Sequence, residues 1–518
     1  MSGKHGAQGT GASVLRPKSR HGASLVELFG TNPGVQVRGI TADSRLAGTG
    51  DLYVALPGTR HHGASFAPEA IAAGAVAILT DQAGRRVIGP VDVPVFEVAD
   101  PRAAMAGLAA RIYGCPSSSL RMLAVTGTNG KTTTTFLVDA ALRASRHRVG
   151  IIGTIGYLLD GQLLAAVRNT VTTPESPELQ AFLAYLLEAG ADSVAMEVSS
   201  HALALGRADA IQFDVAAFTN FGLDHLDFHR DEESYFEAKA SLFTPARTRH
   251  AVINVDDLRG RELVNRIRGG GQLPVTTVSL DSPGADCSAL SLRTEPDGRV
   301  RVIARLKADT VEFLLGLPGE FNVRNALTCI AMLDAAGVNV QLAAEGLATA
   351  QVPGRMQRVD LGRQAPLVYV DFAHTPQAVA AALAALPSKR RIVVLGCGGD
   401  RDPNKRGPMG AAAAAGANIV IITDDNPRHE VPAEIRAQVR AGAEAARRSA
   451  DLAVELIDGG DRRAAIRQAL ELAEPGDAVA VLGKGHEPGQ EIGDRVLPFD
   501  DASVVVEEWA RRLNKGSP

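Results

Sequence analysis

The sequence predicts an α/β protein of three domains built on mostly parallel β-sheets. Short apolar runs alternate with helical stretches in two separate series, which is typical of parallel sheets covered by helices. A glycine-rich loop joins the first strand and the first helix of the earlier series, as it does at the ligand-binding edge of such sheets. The length of 518 residues corresponds to about three domains of ordinary size.

The order of the predicted elements suggests the domain boundaries. Residues 1–26 are expected to form a flexible basic tail, because they contain Lys and Arg but no acid. A small α/β domain is expected over 27–118, where apolar runs flank a glycine- and histidine-rich loop. A central domain is expected over 119–353, with strands at 122–126, 149–152, 193–198 and 215–218 and helices at 131–144 and 177–188. A Rossmann-like domain is expected over 354–518, with strands at 367–370, 391–395, 418–423, 453–456 and 478–482 and helices at 433–448 and 462–472.

Composition excludes several classes of protein. Hydrophobic residues make up 45% and charged residues 22% of the chain, which is ordinary for a globular protein and excludes a largely disordered one. The net charge of −4 does not suggest a nucleic-acid partner. The four cysteines lie far apart, so neither a disulfide framework nor a zinc site is expected. No apolar stretch is long enough to insert into a membrane, and we expect a cytoplasmic protein.

The glycine-rich loop has the composition of a phosphate-binding loop. It follows a predicted strand and opens a predicted helix, so that backbone N–H groups can surround a phosphate chain. We expect Lys131 to meet the β- and γ-phosphates and Thr132 to bind Mg²⁺. The spacing departs from the longer GxxxxGK[ST] form, because Val125 stands where the first glycine would be. The expected nucleotide contacts are Gly127, Thr128, Asn129, Gly130, Lys131, Thr132 and Thr133.

Acidic and basic side chains follow the next predicted strands. Glu197 ends a strand and is placed to complete a Mg²⁺ shell with Thr132, although a surface carboxylate is the alternative. His225 lies in a short segment crowded with Asp and His, which can also be explained as a polar loop. Lys239 lies among apolar neighbours in a helix expected over 235–243. A buried ammonium there would be costly, so extension to solvent is the default explanation.

Short blocks occur in a fixed order over nearly the whole chain after the tail. They are DSR (43–45), GTNGKTT (127–133), TTPE (172–175), MEVSSHAL (196–203), DHLDFH (224–229), the Lys239 helix, GEFNVRN (319–325), PGRM (353–356), DFAHTP (371–376), GCGGDR (396–401), DNPR (425–428) and GKGHE (483–487). In this order the blocks resemble those of the ATP-dependent Mur ligases of peptidoglycan synthesis. The resemblance implies a UDP-substrate domain, a P-loop ATPase domain and a domain for the incoming amino acid.

The resemblance also implies the reaction. ATP would phosphorylate the D-Glu γ-carboxylate of UDP-MurNAc-L-Ala-D-Glu, and an amine would attack the acyl phosphate to form an amide through a tetrahedral intermediate. The catalytic residues would be Lys131, Glu197, His225 and Lys239. Two Mg²⁺ ions are expected, with Thr132, Glu197, His225 and the Lys239 carbamate as ligands. The lysine of this family is carbamoylated by CO₂, and Lys239 fits that position as N6-carboxylysine.

Further residues carry implied roles in binding the substrates. Ser44 resembles a contact to the uracil end, and Thr172, Thr173, Ser199 and Arg207 resemble contacts to the muramoyl dipeptide. Val171 replaces an Asn of some relatives and Leu205 replaces a polar contact residue, so the contacts of those two positions must be lost or supplied elsewhere. The ATP contacts would further include Asn322, Asn325 and Arg355.

The DNPR block favours meso-diaminopimelate as the amino acid that is added. Arg401 and Arg428 can bind its distal carboxylate in bidentate fashion, and Glu487 can receive its distal ammonium. Lysine lacks that carboxylate, and it would leave the arginines unpaired. An Asn-Pro turn with an exposed arginine is the structural alternative. The expected diaminopimelate contacts are Arg401, Asp425, Asn426, Pro427, Arg428, Gly483 and Glu487.

Three other functions are less consistent with these residues. Within the same superfamily, a lysine-adding ligase or a folylpolyglutamate synthase-like enzyme is the nearest alternative. A P-loop switch protein is disfavoured because the chain has no NKxD motif for reading a base. A catalytically inactive scaffold is disfavoured because Lys131, Glu197, His225 and Lys239 are all present. From the resemblance we expect a monomer that binds small-molecule substrates and neither nucleic acid nor membrane.

Overall fold

The computed structural model describes residues 15–19, 22–31, 34–165, 171–222, 224, 228–295, 297–362 and 364–515. The chain divides into two compact units. The first comprises Met1–Ala289, Ala304–Val311 and Asn325–Gly346. The second comprises Leu290–Ile303, Glu312–Arg324 and Leu347–Pro518. The domain limits at 118 and 353 therefore stay predictions.

The first unit begins with a small parallel sheet of four strands in the order β3-β4-β5-β6. The strands up to this point are β1 (Ala23–Ser24), β2 (Gln36–Val37), β3 (Gly39–Thr41), β4 (Asp51–Ala55), β5 (Ala77–Thr80) and β6 (Val95–Glu97). The helices are α1 (Leu25–Phe29), α2 (Ala67–Ala72), α3 (Gln82–Ile88) and α4 (Pro101–Ile112), with 3₁₀ turns at Ser44–Leu46, Gly63–Phe66 and Pro116–Ser119. The apolar core of this sheet includes Ala181 and Ala184 from the next part of the chain, so the two parts pack as one unit.

The predicted tail over 1–26 is wrong at its C-terminal end. Strand β1 pairs with β2, and the Ser24 side chain caps α1 in a reciprocal arrangement with Glu27. The Arg16 guanidinium donates to Asp51 Oδ1 over 2.7 Å. The composition of the segment did not reveal the pairing of β1 with β2 or the bond of Arg16 to Asp51, because those partners lie outside residues 1–26.

The central sheet of the first unit has the strand order β10-β9-β8-β11-β7-β12-β13-β14, and β15 follows beside β14. Its strands are β7 (Arg121–Thr126), β8 (Val149–Gly153), β9 (Gly156–Leu159), β10 (Gln162–Leu163), β11 (Ser193–Glu197), β12 (Val215–Phe218), β13 (Ala251–Asn254) and β14 (Val275–Ser279), followed by β15 (Cys287–Thr294), β16 (Val300–Leu306) and β17 (Asp309–Leu315). Strands β8, β11, β7, β12, β13, β14 and β15 run parallel to their neighbours in this series. This confirms the predicted parallel sheet.

Helices follow these strands and cover the sheet. They are α5 (Lys131–Ala144), α6 (Ser176–Glu188), α7 (Ser200–Ala204), α8 (Glu232–Ala240), α9 (Leu258–Gly270), α10 (Glu320–Ala335) and α11 (Val340–Ala344), with a 3₁₀ turn at Glu345–Ala348. Helix α5 has the predicted bounds. The helix predicted over 235–243 begins three residues earlier, because Asp231 caps it together with Ser234.

The second unit contains a sheet in the order β18-β19-β23-β20-β21-β22, parallel except for β18. Its strands are β18 (Gln357–Val359), β19 (Leu367–Asp371), β20 (Arg391–Cys397), β21 (Ile419–Asp424), β22 (Glu455–Gly460) and β23 (Ala478–Leu482), and the hairpin beside it is β24 (Gly489–Ile492) and β25 (Arg495–Pro498). The strand predicted over 453–456 is observed as β22 (Glu455–Gly460), because its pairing with β21 begins at Glu455.

Helices cover both faces of this sheet, as the Rossmann-like prediction requires. They are α12 (Pro376–Ala384), α13 (Arg406–Gly416), α14 (Pro432–Ser449), α15 (Arg462–Leu472) and α16 (Asp501–Lys515), with a 3₁₀ turn at Pro403–Lys405. Val393 and Leu395 of β20 face a core shared with α12, α13 and α14. Ile392 and Val394 face the opposite core, which contains α15, α16 and Trp509. Alternate side chains of one strand thus reach two helical layers.

None of the helices within the described ranges is both long enough and apolar enough to cross a membrane. All four cysteines carry free thiols, as expected from their spacing. Cys115 is exposed, whereas Cys287, Cys329 and Cys397 are buried.

Helices α13 and α14 approach each other at glycines. A Cβ atom at Gly442 would lie 2.0 Å from the carbonyl oxygen of Gly407. We expect Gly442→Ala to force the helices apart and to lower the free energy of unfolding by about 1–3 kcal/mol. Urea unfolding, followed by the fluorescence of Trp509, measures the stability of the second unit, since Trp509 is the single tryptophan and lies in a core of that unit. Ala441→Ser is the control on the same helix, and an equal effect of both substitutions would contradict the packing argument.

Candidate active site

The glycine-rich loop of the first unit lies between β7 and α5, at the carboxyl edge of the sheet. Gly127 and Gly130 have φ angles of 142° and 85°, which favour glycine. A Cβ atom at Gly127 would lie 2.0 Å from Thr219 Oγ1, and one at Gly130 would lie 2.5 Å from Asn325 Oδ1. The loop is therefore closed in by side chains on both sides, and these two positions need glycine for steric reasons as well.

Residues after the neighbouring strand β12 support the loop. Thr219 Oγ1 donates to the carbonyl oxygen of Asn129 over 2.6 Å. The backbone N–H of Asn129 donates to Asn220 Oδ1, and that of Thr128 donates to the carbonyl oxygen of Asn220. These bonds hold the loop in shape without using the N–H groups at the start of α5.

Lys131 is the first residue of α5, and its side chain folds back over the loop. Its Nζ donates to the carbonyl oxygens of Gly127 and Thr128 over 2.9 and 2.8 Å. The positive charge thus lies at the helix N-terminus, where the helix dipole also favours an anion. The next residues, Thr132 and Thr133, are buried.

The structure brings Thr132 and Glu197 together. Thr132 Oγ1 donates to Glu197 Oε2 over 2.9 Å, and the Glu197 side chain is buried. Thr154, which follows β8, donates to the same carboxylate through its N–H over 2.8 Å and its hydroxyl over 3.1 Å. Strands β7, β11 and β8 are parallel neighbours, so their carboxyl ends deliver these three residues to one point.

Lys239 is buried, with 1% of its surface exposed, so the expectation that it extends to solvent is wrong. Its Nζ donates to the carbonyl oxygen of Gly127 over 2.8 Å and lies 4.3 Å from the ring centroid of Tyr235. Burial, with a smaller contribution from the charge of Lys131, holds the pKa of the Lys239 ammonium well below its usual value. The environment beside the phosphate loop therefore favours the neutral amine more than water does.

His225 lies outside the described residues, so its predicted place as a metal ligand stays a prediction. Among the residues that the structure does describe, no group of three or more His, Cys, Asp or Glu side chains is arranged to hold a metal ion. Thr132 and Glu197 nevertheless form a hydroxyl and carboxylate pair of the kind that binds Mg²⁺ beside phosphates.

The residues expected to contact the muramoyl dipeptide form one hydrogen-bonded group beside Glu197. Thr173 Oγ1 donates to the carbonyl oxygen of Glu197 over 2.9 Å and lies 3.4 Å from Ser199 Oγ. Arg207 donates to the carbonyl oxygen of Thr173 and to the carboxylate of Glu175. Thr172 Oγ1 lies 3.1 Å from Thr154 Oγ1, which connects this group with the phosphate loop.

The remaining predicted contacts to the UDP-substrate and to ATP are distributed over both units. Ser44, in the small sheet region, donates its hydroxyl to Glu69 over 2.9 Å. Asn322 donates to the carbonyl oxygen of Pro318 at the start of α10, and Asn325 packs against the phosphate loop. In the second unit, the Arg355 guanidinium lies 4.5 Å from the ring centroid of Phe372.

The four C-terminal blocks meet at the carboxyl edge of the second sheet. DFAHTP, GCGGDR, DNPR and GKGHE lie at the ends of β19, β20, β21 and β23. Gly483 has φ +114°, and a Cβ atom there would lie 2.5 Å from Asp425 Oδ2. The backbone at Gly483 is therefore packed closely against Asp425.

Asn426 organises the polar centre of this edge. Its Nδ2 donates to Glu487 Oε2 over 2.8 Å, and its Oδ1 accepts from the buried Lys484 ammonium over 3.0 Å. Lys484 Nζ lies 3.2 Å from Glu487 Oε2. Asn426 and Glu487 are thus brought together, and their contacts with an amino acid stay a prediction.

Arg401 and Arg428 flank Gly398. A Cβ atom at Gly398 would lie 3.1 Å from an Arg428 terminal nitrogen and 3.8 Å from Arg401 Cγ. The Arg428 guanidinium donates to the carbonyl oxygen of Gly399 over 2.8 Å and to Glu491 Oε2 over 2.5 Å. Pro427 accepts a backbone bond from Glu430, which turns the chain after DNPR.

Sequence reasoning missed three residues of these sites. Thr154 directly follows β8, so it could have been predicted in the same way as Glu197, from its position at the carboxyl end of a strand. Tyr235 precedes Lys239 by four residues, a spacing that places both on one helix face. Lys484 lies inside the GKGHE block, but only the fold reveals its burial.

The phosphate loop, its lysine and the buried Glu197 define a P-loop nucleotide-binding protein, and the second unit adds a separate polar site. Three family models match the chain: "Mur ligase family, catalytic domain" over 36–113, "Mur ligase middle domain" over 125–333 and "Mur ligase, glutamate ligase domain" over 354–485. The chain belongs to the Mur ligase family.

Individual relatives agree with this assignment. The UDP-N-acetylmuramoyl-L-alanyl-D-glutamate–2,6-diaminopimelate ligase of Streptomyces coelicolor is 46% identical, over 91% of this chain and 92% of the relative. The protein of the same name from Streptomyces avermitilis is 44% identical, over 95% and 97%. A solved structure with that name is 30% identical, has a TM-score of 0.70 and covers 95% of this chain and 99% of its own.

His429 follows DNPR directly and lies between two carboxylates. Its Nδ1 lies 2.8 Å from Asp400 Oδ2 and its Nε2 lies 3.2 Å from Asp494 Oδ1, and bonds to both raise its pKa. We expect its NMR titration midpoint to lie above that of an unperturbed histidine, with His429→Gln assigning the signal. Because the pKa of His429 is raised in the folded protein, its bonds to Asp400 and Asp494 stabilise the fold fully at pH values below the unfolded pKa. This stabilisation is lost as the pH rises through the folded pKa. Asp400→Asn should lower the midpoint, and an unchanged midpoint would contradict the assignment.

Proposed function

We propose that the chain is an ATP-dependent ligase that adds meso-diaminopimelate to the D-Glu γ-carboxylate of UDP-MurNAc-L-Ala-D-Glu in peptidoglycan precursor synthesis. The observation that carries the proposal is the polar edge of the second unit. There two arginines flank Gly398, and Asn426 holds a carboxylate, Glu487. Such an edge offers cations to one end of an amino acid and an anion to the other.

The first chemical step activates the carboxylate. A γ-carboxylate oxygen of D-Glu attacks the γ-phosphorus of ATP, the bond to the bridging oxygen of ADP breaks, and an acyl phosphate forms. Lys131 and the N–H groups at the start of α5 stabilise the negative charge of the phosphates. Positioning matters because both reactants are anions.

The second step forms the amide. The amino nitrogen of the incoming amino acid attacks the acyl carbon to give a tetrahedral intermediate. Collapse of that intermediate releases phosphate, and the nitrogen loses a proton to solvent or to a phosphate oxygen. Exclusion of water protects the acyl phosphate from hydrolysis.

Thr132 and Glu197 would hold Mg²⁺, and His225 with a carbamoylated Lys239 would hold a second ion. The fit rests on the buried Glu197 carboxylate, which accepts hydrogen bonds from the Thr132 and Thr154 hydroxyls. Mg²⁺ supplies positive charge that offsets the approach of the two anions.

The environment of Lys239 supports carbamoylation. Its amine nitrogen would form a bond to the carbon of CO₂ and lose a proton to solvent, which converts the side chain to an anion. The reaction requires a neutral amine, and burial lowers the pKa of Lys239 accordingly.

The substrate contacts follow from the predicted residues. Thr172, Thr173, Ser199 and Arg207 would contact the muramoyl dipeptide, and Ser44 would contact the uracil end. Asn322, Asn325 and Arg355 would contact ATP. Arg401 and Arg428 would bind the distal carboxylate of diaminopimelate, while Glu487 would bind its distal ammonium. We further propose that the enzyme acts as a cytoplasmic monomer.

Phosphate release from ATP tests the proposed function. With UDP-MurNAc-L-Ala-D-Glu present, we expect release to depend on meso-diaminopimelate and to be at least about a hundredfold slower with L-lysine, which has no distal carboxylate for the arginines to bind. Lys131→Met should abolish release. Stimulation by lysine instead would overturn the choice of amino acid, and release indifferent to any amino acid would favour a nucleotide switch.

Carbamoylation is tested by ¹³C NMR with labelled bicarbonate. At neutral pH we expect a carbamate carbon signal from the unsubstituted protein, because burial lowers the pKa of Lys239 and so raises the fraction of neutral amine. Lys239→Met should remove the signal, and Lys307→Met, which changes an exposed lysine paired with Asp334, should retain it. A signal that survives in Lys239→Met would place the carbamate elsewhere.

A further inference from the structure

The hairpin of β24 and β25 is bonded along the whole DNPR loop. Gln490 Nε2 donates to the carbonyl oxygen of Asp425 over 2.6 Å, and the N–H of Glu491 donates to Asn426 Oδ1 over 3.0 Å. The N–H of Arg428 donates to the carbonyl oxygen of Glu491 over 3.1 Å. Strand β24 therefore forms a wall of the loop that carries the predicted amino-acid contacts.

Glu491 adds a charge to this wall. Its Oε2 accepts from Nε of Arg428 over 2.5 Å, so a carboxylate of the chain itself binds the arginine that we assign to the substrate. The Arg428 side chain is 19% exposed and that of Glu491 is 43% exposed. A guanidinium with so little access to water needs a counter-charge, which the carbonyl oxygen of Gly399 does not provide.

We propose that Glu491 tunes the affinity for the incoming amino acid by occupying the Nε edge of Arg428 until the distal carboxylate of that amino acid displaces it. This inference rests on the proposed function. An amino acid with a distal carboxylate replaces one ion pair by another. An amino acid that has only a distal ammonium leaves the pair of Arg428 and Glu491 unchanged and gains nothing from the arginine.

The partial exposure of Glu491 makes this exchange feasible. The Arg462 and Asp501 side chains form an ion pair in the same unit with 0% exposure on both sides, and neither can be released into water at low cost. Glu491 differs because its carboxylate can turn into solvent, and partly exposed ion pairs contribute little free energy. A substrate carboxylate with bidentate geometry can therefore compete successfully.

The test is Glu491→Gln, which keeps the shape and removes the competing charge. We expect KM for meso-diaminopimelate to fall roughly two- to fivefold, with kcat and the KM values for ATP and the UDP-substrate unchanged. The slow reaction with L-lysine should not improve. Glu491→Ala should lower KM in the same direction, and Glu455→Gln, at an exposed glutamate of β22, is the matched control with no expected effect.

The outcomes separate this inference from the proposed function. If the unsubstituted protein does not use meso-diaminopimelate, the proposed function fails. If it does and Glu491→Gln leaves KM unchanged or raises it, Glu491 has only a structural role and the inference fails. A gain of the same size with L-lysine would also overturn it, because the effect would then not depend on a distal carboxylate that competes for Arg428.

Discussion

Parallel strand pairing is the constraint on which both sites depend. In a parallel sheet every strand ends at the same edge, so residues distant in sequence meet wherever their strands are neighbours. Thr132, Thr154 and Glu197 meet in this way after β7, β8 and β11. The four blocks of the second unit meet after β19, β20, β21 and β23. Each block supplies few polar groups, and these groups form a site only because the sheet places the ends of the strands side by side.

The two units treat buried charge differently. In the first, Glu197 is surrounded by hydroxyl and N–H donors, whereas Lys239 has a carbonyl oxygen and an aromatic ring as neighbours. The first environment suits an anion, and the second favours a neutral amine. In the second unit, cations are paired with carboxylates, as Lys484 is with Glu487. Buried charge is thus stabilised by hydrogen-bond donors at Glu197 and by an opposite charge at Lys484.

The sequence alone predicted the structure correctly where several local signals agreed with one another. The glycine loop, its lysine and the apolar period of α5 all indicated the same strand, loop and helix, and the structure has them at those residues. Long-range pairing could not be read in this way. The contacts of Arg16 with Asp51 and of Arg428 with Glu491 join segments that have no shared local pattern. The burial of Lys239 likewise depends on helix α8 packing against the loop.

The four thiols also differ in chemical reactivity. Burial raises the pKa of Cys287 and of Cys397 to about 12, and it raises that of Cys329 as well. A buried thiol with a raised pKa has little thiolate and reacts slowly. Cys115 is exposed, in the turn before β7. A maleimide dye should therefore attach at this one site in the native protein, which would give a fluorescent reporter without any engineered cysteine.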